Sequence, residues 1–383
     1  MMRVDVKPNL ILWACERARR SIDSLAQQQS FRKLSAWVSG DASPTLRQLE
    51  HFAKATHTPL GYFFLPQPPK ESVPIPDLRT IGNEHIGHPS PDLLDTMYIC
   101  QQRQEWYQDF ARSMGEIPLP FVGSVTLQSD VVEVSRSISK ALGFDVEERR
   151  SMPTWTEALR RFISQADSVG IMVMVSGIVG SNTHRSLDPE EFRGFALADP
   201  LAPLVFINGK DTKAAQMFTI AHELAHIWLG ETALSDVGPV TMPSNKVEVW
   251  CNQVAAELLV PLVVLHDIYR GDVPLREELD HLARWFKVST LVILRRLHDA
   301  GKLSRKELWR AYEQELKRLQ SFSRESGGNF YLTLPARVSK RFARALVIST
   351  LEGQTLHRDA FRLLGFSKLA TFHELGHQLG VVF

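Results

Sequence analysis

One short segment, residues 221–230 with the sequence AHELAHIWLG, places two histidines and a glutamate in an otherwise apolar run. On a helix, the apolar residues from 220 to 229 cover almost the whole circumference, which predicts a helix buried on all sides. Unpaired buried polar groups cost several kcal/mol, so these side chains need a partner inside the protein. A metal ion satisfies all of them, since His222 and His226 share a helix face and Glu223 follows the first histidine.

The same His-Glu-x-x-His pattern occurs again near the end of the sequence, at His373, Glu374 and His377. Here the apolar residues form a single stripe, so both imidazoles are expected at a solvated helix edge. Gly376 weakens this helix by about 1 kcal/mol relative to alanine. The sequence ends six residues after His377, so we expect no downstream ligand helix, and a third ligand would have to come from upstream in the sequence. We interpret the second motif as a coincidental match.

A catalytic zinc ion usually has three protein ligands and one open position, so a third ligand is required. The acidic candidates after the first motif are Glu231, Asp236, Glu248 and Glu257. The first two follow Gly230 too closely in sequence to fold back comfortably. On a helix, Glu248 shares a face with small residues that permit close packing against the histidine helix, whereas Glu257 points away and is expected at a solvated surface. The prediction is therefore Glu248.

The composition is that of a soluble globular protein, with 44% hydrophobic and 23% charged residues among 383. The formal net charge of +1 indicates no global preference for nucleic acid or membranes. Three distant cysteines argue against a disulfide framework and favour a reducing compartment. The N-terminus lacks the apolar core of a signal peptide, and the longest apolar stretch, Val169–Gly180, is shorter than the roughly 20 residues of a membrane span. We expect a soluble cytoplasmic protein without a membrane partner.

Changes in pattern along the chain predict five segments and an α+β fold. The first carries helix spacing and caps, the second a proline-rich linker and a helical connector, and the third mixes helices with short apolar strands. The last two are helical, and the fourth is basic in places. The predicted boundaries are 1–66, 67–154, 155–265, 266–322 and 323–383.

The segment FTIAHELAHIWLG, followed by EVWCNQVAAELLVP, resembles the ImmA/IrrE family of zinc metallopeptidases. The upstream stretch FRGFALADPLAPLVFINGKD is similar to the strand pair of that family, and the similarity covers roughly residues 155–300. The resemblance implies a zincin-like core in which His222, His226 and Glu248 bind the metal and Glu223 is the catalytic carboxylate. It implies zinc as the cofactor, and the same ligand set accepts manganese.

Two further segments are similar to helix-turn-helix modules. The N-terminal stretches SIDSLA and AWVSGDASPTLRQLEHFAKATHTPLGYFFLP resemble XRE-type domains, and LARWFKVSTLVILRRLHDAGKLS has a comparable pattern within the fourth segment. Residues 1–80 hold eleven Lys and Arg against seven Asp and Glu, a balance of +4 that mildly favours phosphate contact. Gln28, Ser30, Arg32 and Lys33 lie where a recognition helix would begin, and they are the candidate DNA contacts. A protein-interaction module is the alternative.

Two functions remain open from the sequence. One is a zinc-dependent endopeptidase that cleaves a cytoplasmic protein, which the family resemblance implies is a transcriptional repressor in a stress or prophage-type response. The other is a DNA-binding regulator or antitoxin-like protein that uses the peptidase fold as a sensor without turnover. For the first, we hypothesise that an extended substrate adds to the strand around Val205–Ile207. His184 and His266 are candidates for a second oxyanion donor, although lone histidines are more often structural.

Overall fold

The computed structural model describes residues 3–78, 89–235, 245–320 and 330–381. Contacts between backbone positions divide the chain into two compact units. The first comprises Met1–Pro74 and Ile86–Met97, and the second comprises Ile75–His85 and Tyr98–Phe383. Helices together with a small mixed sheet confirm the α+β class.

The N-terminal unit is built from short helices around an aromatic core. Its helices are α1 Pro8–Arg17, α2 Ile22–Ala26, α3 Leu34–Val38 and α4 Leu46–Ala55, with single 3-10 turns at Gln29–Phe31 and Leu60–Phe64. Phe52 lies at the centre of this core, in ring contact with Phe31, Trp37 and Phe63. Thr45 begins α4 with a reciprocal capping box, which satisfies two backbone donors at the helix start.

Helices account for most of the remaining described chain. They are α5 Pro91–Ser113, α6 Val131–Leu142, α7 Val146–Ser151, α8 Trp155–Ser168, α9 Lys213–Leu229, α10 Lys246–Leu259, α11 Leu262–Ile268, α12 Leu275–Phe286, α13 Thr290–Asp299, α14 Arg305–Gln320, α15 Phe330–Val338, α16 Lys340–Leu351, α17 His357–Leu364 and α18 Leu369–Gln378. The main hydrophobic core gathers around α9 and α10 and includes residues of α6, α8, α12, α13 and the sheet.

Four strands form one sheet in the order β1-β3-β2-β4. They are β1 Met172–Ser176, β2 Gly194–Leu197, β3 Leu204–Asn208 and β4 Ala233–Ser235. β1 pairs with β3 in parallel, whereas β2 is antiparallel to both β3 and β4. Because β3 is paired on both sides, the hypothesis that an extended substrate adds to Val205–Ile207 is wrong. The outer strands of this sheet are β1 and β4.

The C-terminal end of α9 is held by a neighbouring loop. The backbone N–H of Gly123 donates to the carbonyl of Ile227 at 3.2 Å, and that of Val125 donates to the carbonyl of Trp228 at 3.3 Å. The ring of Phe121 stacks on Trp228 with centroids 4.5 Å apart. These bonds satisfy carbonyls that the end of a helix leaves without intrahelical partners, which anchors the helix that carries the first motif.

The C-terminal end of α10 is buried and is held by two arginines. Arg149 donates to the carbonyl of Leu259, and Arg296 donates to the carbonyl of Val260 at 2.9 Å. Arg296 also pairs with the carboxylate of Glu257, which is only 6% exposed. The expectation of a solvated Glu257 is therefore wrong. Its charge is tolerated in the interior because a guanidinium and a backbone N–H, that of Leu262, are within reach.

The C-terminal helices are joined to the sheet region through Asp167, near the end of α8. Its carboxylate accepts hydrogen bonds from the Ser339 hydroxyl at 2.8 Å and from the Lys340 backbone N–H at 3.1 Å. The Val173 N–H in β1 donates to the same carboxylate at 3.3 Å. Burial raises the pKa of Asp167, and these hydrogen bonds oppose that shift.

Among the described residues, no single helix has the length and apolar character needed to cross a membrane. By length and composition alone, the pair formed by α10 and α11 passes the same test, with a 46° bend between the two helices.

Candidate metal centre

The first motif lies in the middle of α9, and its three polar side chains are fully buried. Thr212 caps the start of this helix by accepting a hydrogen bond from the Ala215 N–H, and Gly230 ends it in the left-handed region at a φ of 73°. His222 and His226, one helical turn apart, bring their Nε2 atoms to 3.1 Å from each other. The all-round burial expected from the sequence is thus present.

Helix α10 packs against α9 and supplies the carboxylate of Glu248. Its Oε1 lies 3.1 Å from His226 Nε2, and its Oε2 lies 3.2 Å from His222 Nε2. Glu248 is fully buried, like both histidines. Within the part of the chain that the structure describes, these three residues are the one group of histidine, cysteine and acidic side chains arranged to hold a metal ion.

The distances between the ligand atoms fit a zinc ion. Zinc binds histidine nitrogen and carboxylate oxygen at about 2.0–2.2 Å in tetrahedral sites, which places neighbouring ligand atoms about 3.3 Å apart. The two Nε2 atoms lie 3.1 Å apart, His226 Nε2 lies 3.1 Å from Glu248 Oε1, and His222 Nε2 lies 3.2 Å from Glu248 Oε2. A compact ion with this ligand spacing can therefore be held by the three side chains together.

A second contact sets the proton positions on His222. Its Nδ1 lies 3.0 Å from the amide oxygen Oδ1 of Asn252, one turn after Glu248 on α10. Because an amide oxygen only accepts hydrogen bonds, Nδ1 carries the proton and donates it. In the neutral ring, Nε2 is then left with its lone pair facing His226 and Glu248, as metal binding requires.

Glu223 lies beside these three residues and is not part of the group that could hold a metal ion. Its Oε2 accepts a hydrogen bond at 3.3 Å from the hydroxyl of Ser235, and that hydroxyl also lies 3.2 Å from His226 Nε2. The other oxygen, Oε1, has no hydrogen-bond partner among the described residues. Burial raises the pKa of Glu223 to about 8, with a smaller opposing effect of His222. This carboxylate is therefore a suitable proton acceptor and donor near neutral pH.

The electrostatics of the ligands reflect their mutual contacts. Burial raises the pKa of Glu248, but its interactions with His222 and His226 outweigh it and lower that pKa to about 2. For His222, burial lowers the pKa, but the interaction with Glu248 raises it by more, so the net shift is upward. Burial dominates for His226, and its pKa is lowered. Glu248 is thus ionised at neutral pH, as a carboxylate that could bind a metal ion must be.

A close approach between α9 and the sheet also depends on a glycine. A Cβ atom at Gly194 in β2 would lie 2.6 Å from Thr219 Cγ2 and 2.8 Å from the Phe206 carbonyl oxygen. It would also lie 3.1 Å from Glu223 Oε1. Any larger residue would push the helix away from the sheet or displace the Glu223 carboxylate, so the packing here requires glycine.

The other acidic and histidine candidates that the structure describes are not part of this cluster. Glu231 is exposed after the end of α9, and Asp236 lies outside the described residues. His184 and His266 are both exposed. The side chains of the second motif, His373, Glu374 and His377, are exposed on α18, as expected for a solvated helix edge.

The candidate DNA contacts lie together before α3. Gln28, Ser30, Arg32 and Lys33 are all exposed, on or beside the 3-10 turn at Gln29–Phe31. Their role in binding DNA stays a prediction. In the fourth predicted segment, α12 and α13 are joined by three residues, with Lys287 in the left-handed region at a φ of 56°.

Sequence reasoning missed Ser235 and assigned no role to Asn252. The helix-face argument could have identified Asn252, since this residue follows Glu248 by one turn on the same face. Ser235 carried no such signal, because β4 has only three residues and shows no alternating pattern. Its position beside Glu223 arises from pairing between β4 and the distant strand β2.

Comparisons with known proteins agree with this geometry. Residues 166–298 match a family model described as the IrrE N-terminal-like domain, of peptidase family M78. That match supports the ImmA/IrrE resemblance and a metallopeptidase-type function, which implies a metal, typically zinc. Residues 338–378, which include the second His-Glu-x-x-His motif, match a domain of unknown function (DUF8813). No curated protein matches the chain.

Proposed function

We propose that this protein is a zinc-dependent endopeptidase in which His222, His226 and Glu248 hold the metal and Glu223 is the catalytic acid and base. The observation that carries this proposal is the contact of His222 Nε2, His226 Nε2 and the two carboxylate oxygens of Glu248 at 3.1–3.2 Å, fully buried and with Glu223 alongside. Manganese fits the same ligands, although their number and type favour zinc.

When bound, zinc supplies Lewis-acid activation of water and of the scissile carbonyl. Glu223 then accepts a proton from the attacking water and passes it to the amine that leaves as the peptide bond breaks. Ser235 donates a hydrogen bond to Glu223 Oε2 and so fixes the orientation of this carboxylate. Asn252 fixes the His222 ring through Nδ1. Each of these residues acts through a contact of about 3 Å in the structure.

The proposed substrate is a cytoplasmic protein, specifically a transcriptional repressor, cleaved in a stress or prophage-type response. The support for this substrate class is the ImmA/IrrE resemblance of the peptidase part. The N-terminal unit, with its excess of basic residues, provides a separate surface through which a repressor or its DNA is recognised.

Metal content tests the proposal first, measured per chain for the wild type, His222→Ala and the matched variant His373→Ala. We expect one zinc per chain in the wild type and in His373→Ala, and a loss of zinc in His222→Ala. Glu223→Gln should retain zinc but abolish cleavage of repressors encoded beside this gene, because it keeps the ligands and removes the proton acceptor. Zinc content that follows His373, or cleavage that persists in Glu223→Gln, would contradict the proposal.

The second candidate function is a DNA-binding regulator or antitoxin-like protein that uses the peptidase fold as a sensor. It is favoured by the +4 charge balance of residues 1–80 and by the exposed positions of Gln28, Ser30, Arg32 and Lys33. A cellular phenotype that Glu223→Gln leaves unchanged, but that Arg32→Ala and Lys33→Ala together abolish, would favour this function over proteolysis. DNA affinity of the same double variant should show a weaker salt dependence than the wild type.

A further inference from the structure

The outer edge of β4 is paired with a segment of the proline-rich linker. One side of β4 pairs with β2, and on the other side the backbone N–H of Leu234 donates to the carbonyl of Pro76 at 2.9 Å. The N–H of Leu78 returns a bond to the carbonyl of Leu234 at 3.0 Å, in a parallel arrangement around Asp77. An extended segment of this chain therefore lies along the sheet edge as an added strand.

This edge runs directly past the metal centre. Leu234, which forms both bonds, precedes Ser235, whose hydroxyl lies 3.3 Å from Glu223 Oε2 and 3.2 Å from His226 Nε2. A peptide backbone paired with Leu234 is thus one residue along β4 from the groups that would perform hydrolysis. Both Leu234 and Ser235 are fully buried.

The linker segment contributes the buried side chain of Ile75 and two backbone hydrogen bonds to Leu234. Ile75 is 7% exposed and Leu78 is half-buried, whereas Pro76 and Asp77 are exposed. In a strand, the N–H and the carbonyl of one residue point to the same side. The carbonyl of Pro76 therefore faces β4, but proline has no N–H, so this residue donates no hydrogen bond to the strand. A peptide with another residue at this position has one more donor to offer the strand.

We propose that the outer edge of β4 is a peptide-binding surface that Ile75–Leu78 fills from within the chain. It takes an extended peptide with an aliphatic side chain at the position of Ile75, and such a peptide displaces the linker segment to reach the metal centre. The identification of that peptide as a substrate rests on the proposed endopeptidase function. The surface itself rests on the strand pairing and the burial of Ile75.

Peptide binding to the full-length chain tests this surface. The probe is a fluorescent peptide with the sequence of residues 72–80 in which alanine replaces Pro76, and Glu223→Gln is present throughout to prevent cleavage. The variant Ile75→Ser with Leu78→Pro removes the anchor and one of the two hydrogen bonds of the internal segment. A tethered segment competes with the probe at an effective concentration of about 1 mM. We therefore expect the probe to bind this variant at least about tenfold more tightly than it binds the protein with the native linker.

Pro76→Ala within the chain is the matched control. This variant keeps the carbonyl that accepts from Leu234 and adds an N–H. The probe should therefore bind the Pro76→Ala variant no more tightly than it binds the protein with the native linker. Hydrogen exchange gives a second measurement, in which the amide of Leu234 should be protected with the native linker and should exchange faster in the Ile75→Ser, Leu78→Pro variant. Equal probe affinities, absent probe binding, or equal exchange at Leu234 would overturn the proposal.

The outcome is separable from that of the proposed function. Cleavage of fluorescent casein is measured in parallel with Glu223 restored and zinc bound. If no variant cleaves casein but probe affinities differ by about tenfold, the peptide-binding surface stands and the endopeptidase function fails. If casein is cleaved but probe affinities are equal, the endopeptidase function stands and the surface fails.

Discussion

Replacing Asn252 with alanine tests how far the metal centre depends on residues that do not touch the metal. The Asn252 amide oxygen accepts the Nδ1 proton of His222 at 3.0 Å, which keeps Nε2 free and directed at His226 and Glu248. Without this partner, the imidazole can rotate, and Nδ1 has lost its acceptor. Loss of such a contact typically lowers metal affinity by about 10- to 100-fold, or about 1.4–2.8 kcal/mol.

The assay is a competition for zinc between the protein and a chromophoric chelator of known affinity. Gln253→Ala is the control, because Gln253 is the next residue on the same helix and is exposed. We expect Gln253→Ala to bind zinc like the wild type and Asn252→Ala to bind it about 10- to 100-fold more weakly. Unfolding in the absence of metal should be measured for both, so that a loss of stability is not mistaken for a loss of affinity.

The reasoning fails if Asn252→Ala binds zinc as tightly as Gln253→Ala does. That result would mean that the helix backbone alone orients His222, since α9 is buried on all sides. A partial answer comes from Asn252→Asp, whose carboxylate also accepts from Nδ1. This variant should retain most of the affinity, because the proton on Nδ1 keeps its acceptor.

Three further predictions concern stability and thiol reactivity. Gly230→Ala should lower the free energy of unfolding in urea by at least about 1 kcal/mol more than Gly301→Ala does. Both glycines have a positive φ, but only at Gly230 would the new Cβ meet a backbone atom, Gly123 Cα, at 2.9 Å. Equal losses would show that this contact relaxes freely. Arg296→Met should lower the free energy of unfolding by about 3–5 kcal/mol because it leaves the buried carboxylate of Glu257 without its charged partner. Adding Glu257→Gln should recover part of this loss in the same unfolding assay, and strict additivity would show that the two side chains are not coupled. All three cysteines are buried, and burial raises the pKa of the thiols, to about 11 for Cys15 and about 12 for Cys100. Iodoacetamide at pH 8 should therefore label none of them in the native protein and all of them in denaturant, as mass spectrometry would detect; labelling of the native chain would show that a thiol is accessible.

The local features of the metal centre could be predicted from the sequence. The four-residue spacing places His222 and His226 on one helix face whatever the surroundings, because the geometry of an α-helix is regular. The same regularity favoured Glu248 over Glu257 as the candidate ligand, and the structure places Glu248 beside both histidines. It also identified the apolar circumference that buries the first motif and the single apolar stripe that leaves His373 exposed.

The errors concerned what each helix and strand packs against. Glu257 was expected in solvent because it points away from the histidine helix, yet Arg296 from α13 meets it there. The strand at Val205–Ile207 was considered as an edge, but it lies between β1 and β2, and burial between two partners accounts for its strongly apolar sequence. In both cases, the sequence of the segment itself does not identify the neighbours that pack against it.

The sequence by itself predicted the candidate metal ligands, the candidate catalytic carboxylate and the α+β class, since these predictions depend on repeat spacings within individual helices and strands. Only the tertiary structure decided that Asn252 orients His222, that Ser235 contacts Glu223 and that Ile75–Leu78 lies on the edge of β4. A strand of three residues has too little pattern to identify its partners. Its pairing is chosen by backbone hydrogen bonds and burial between segments more than 100 residues apart, as Leu78 and Leu234 are, and these energies belong to the folded chain rather than to any local stretch.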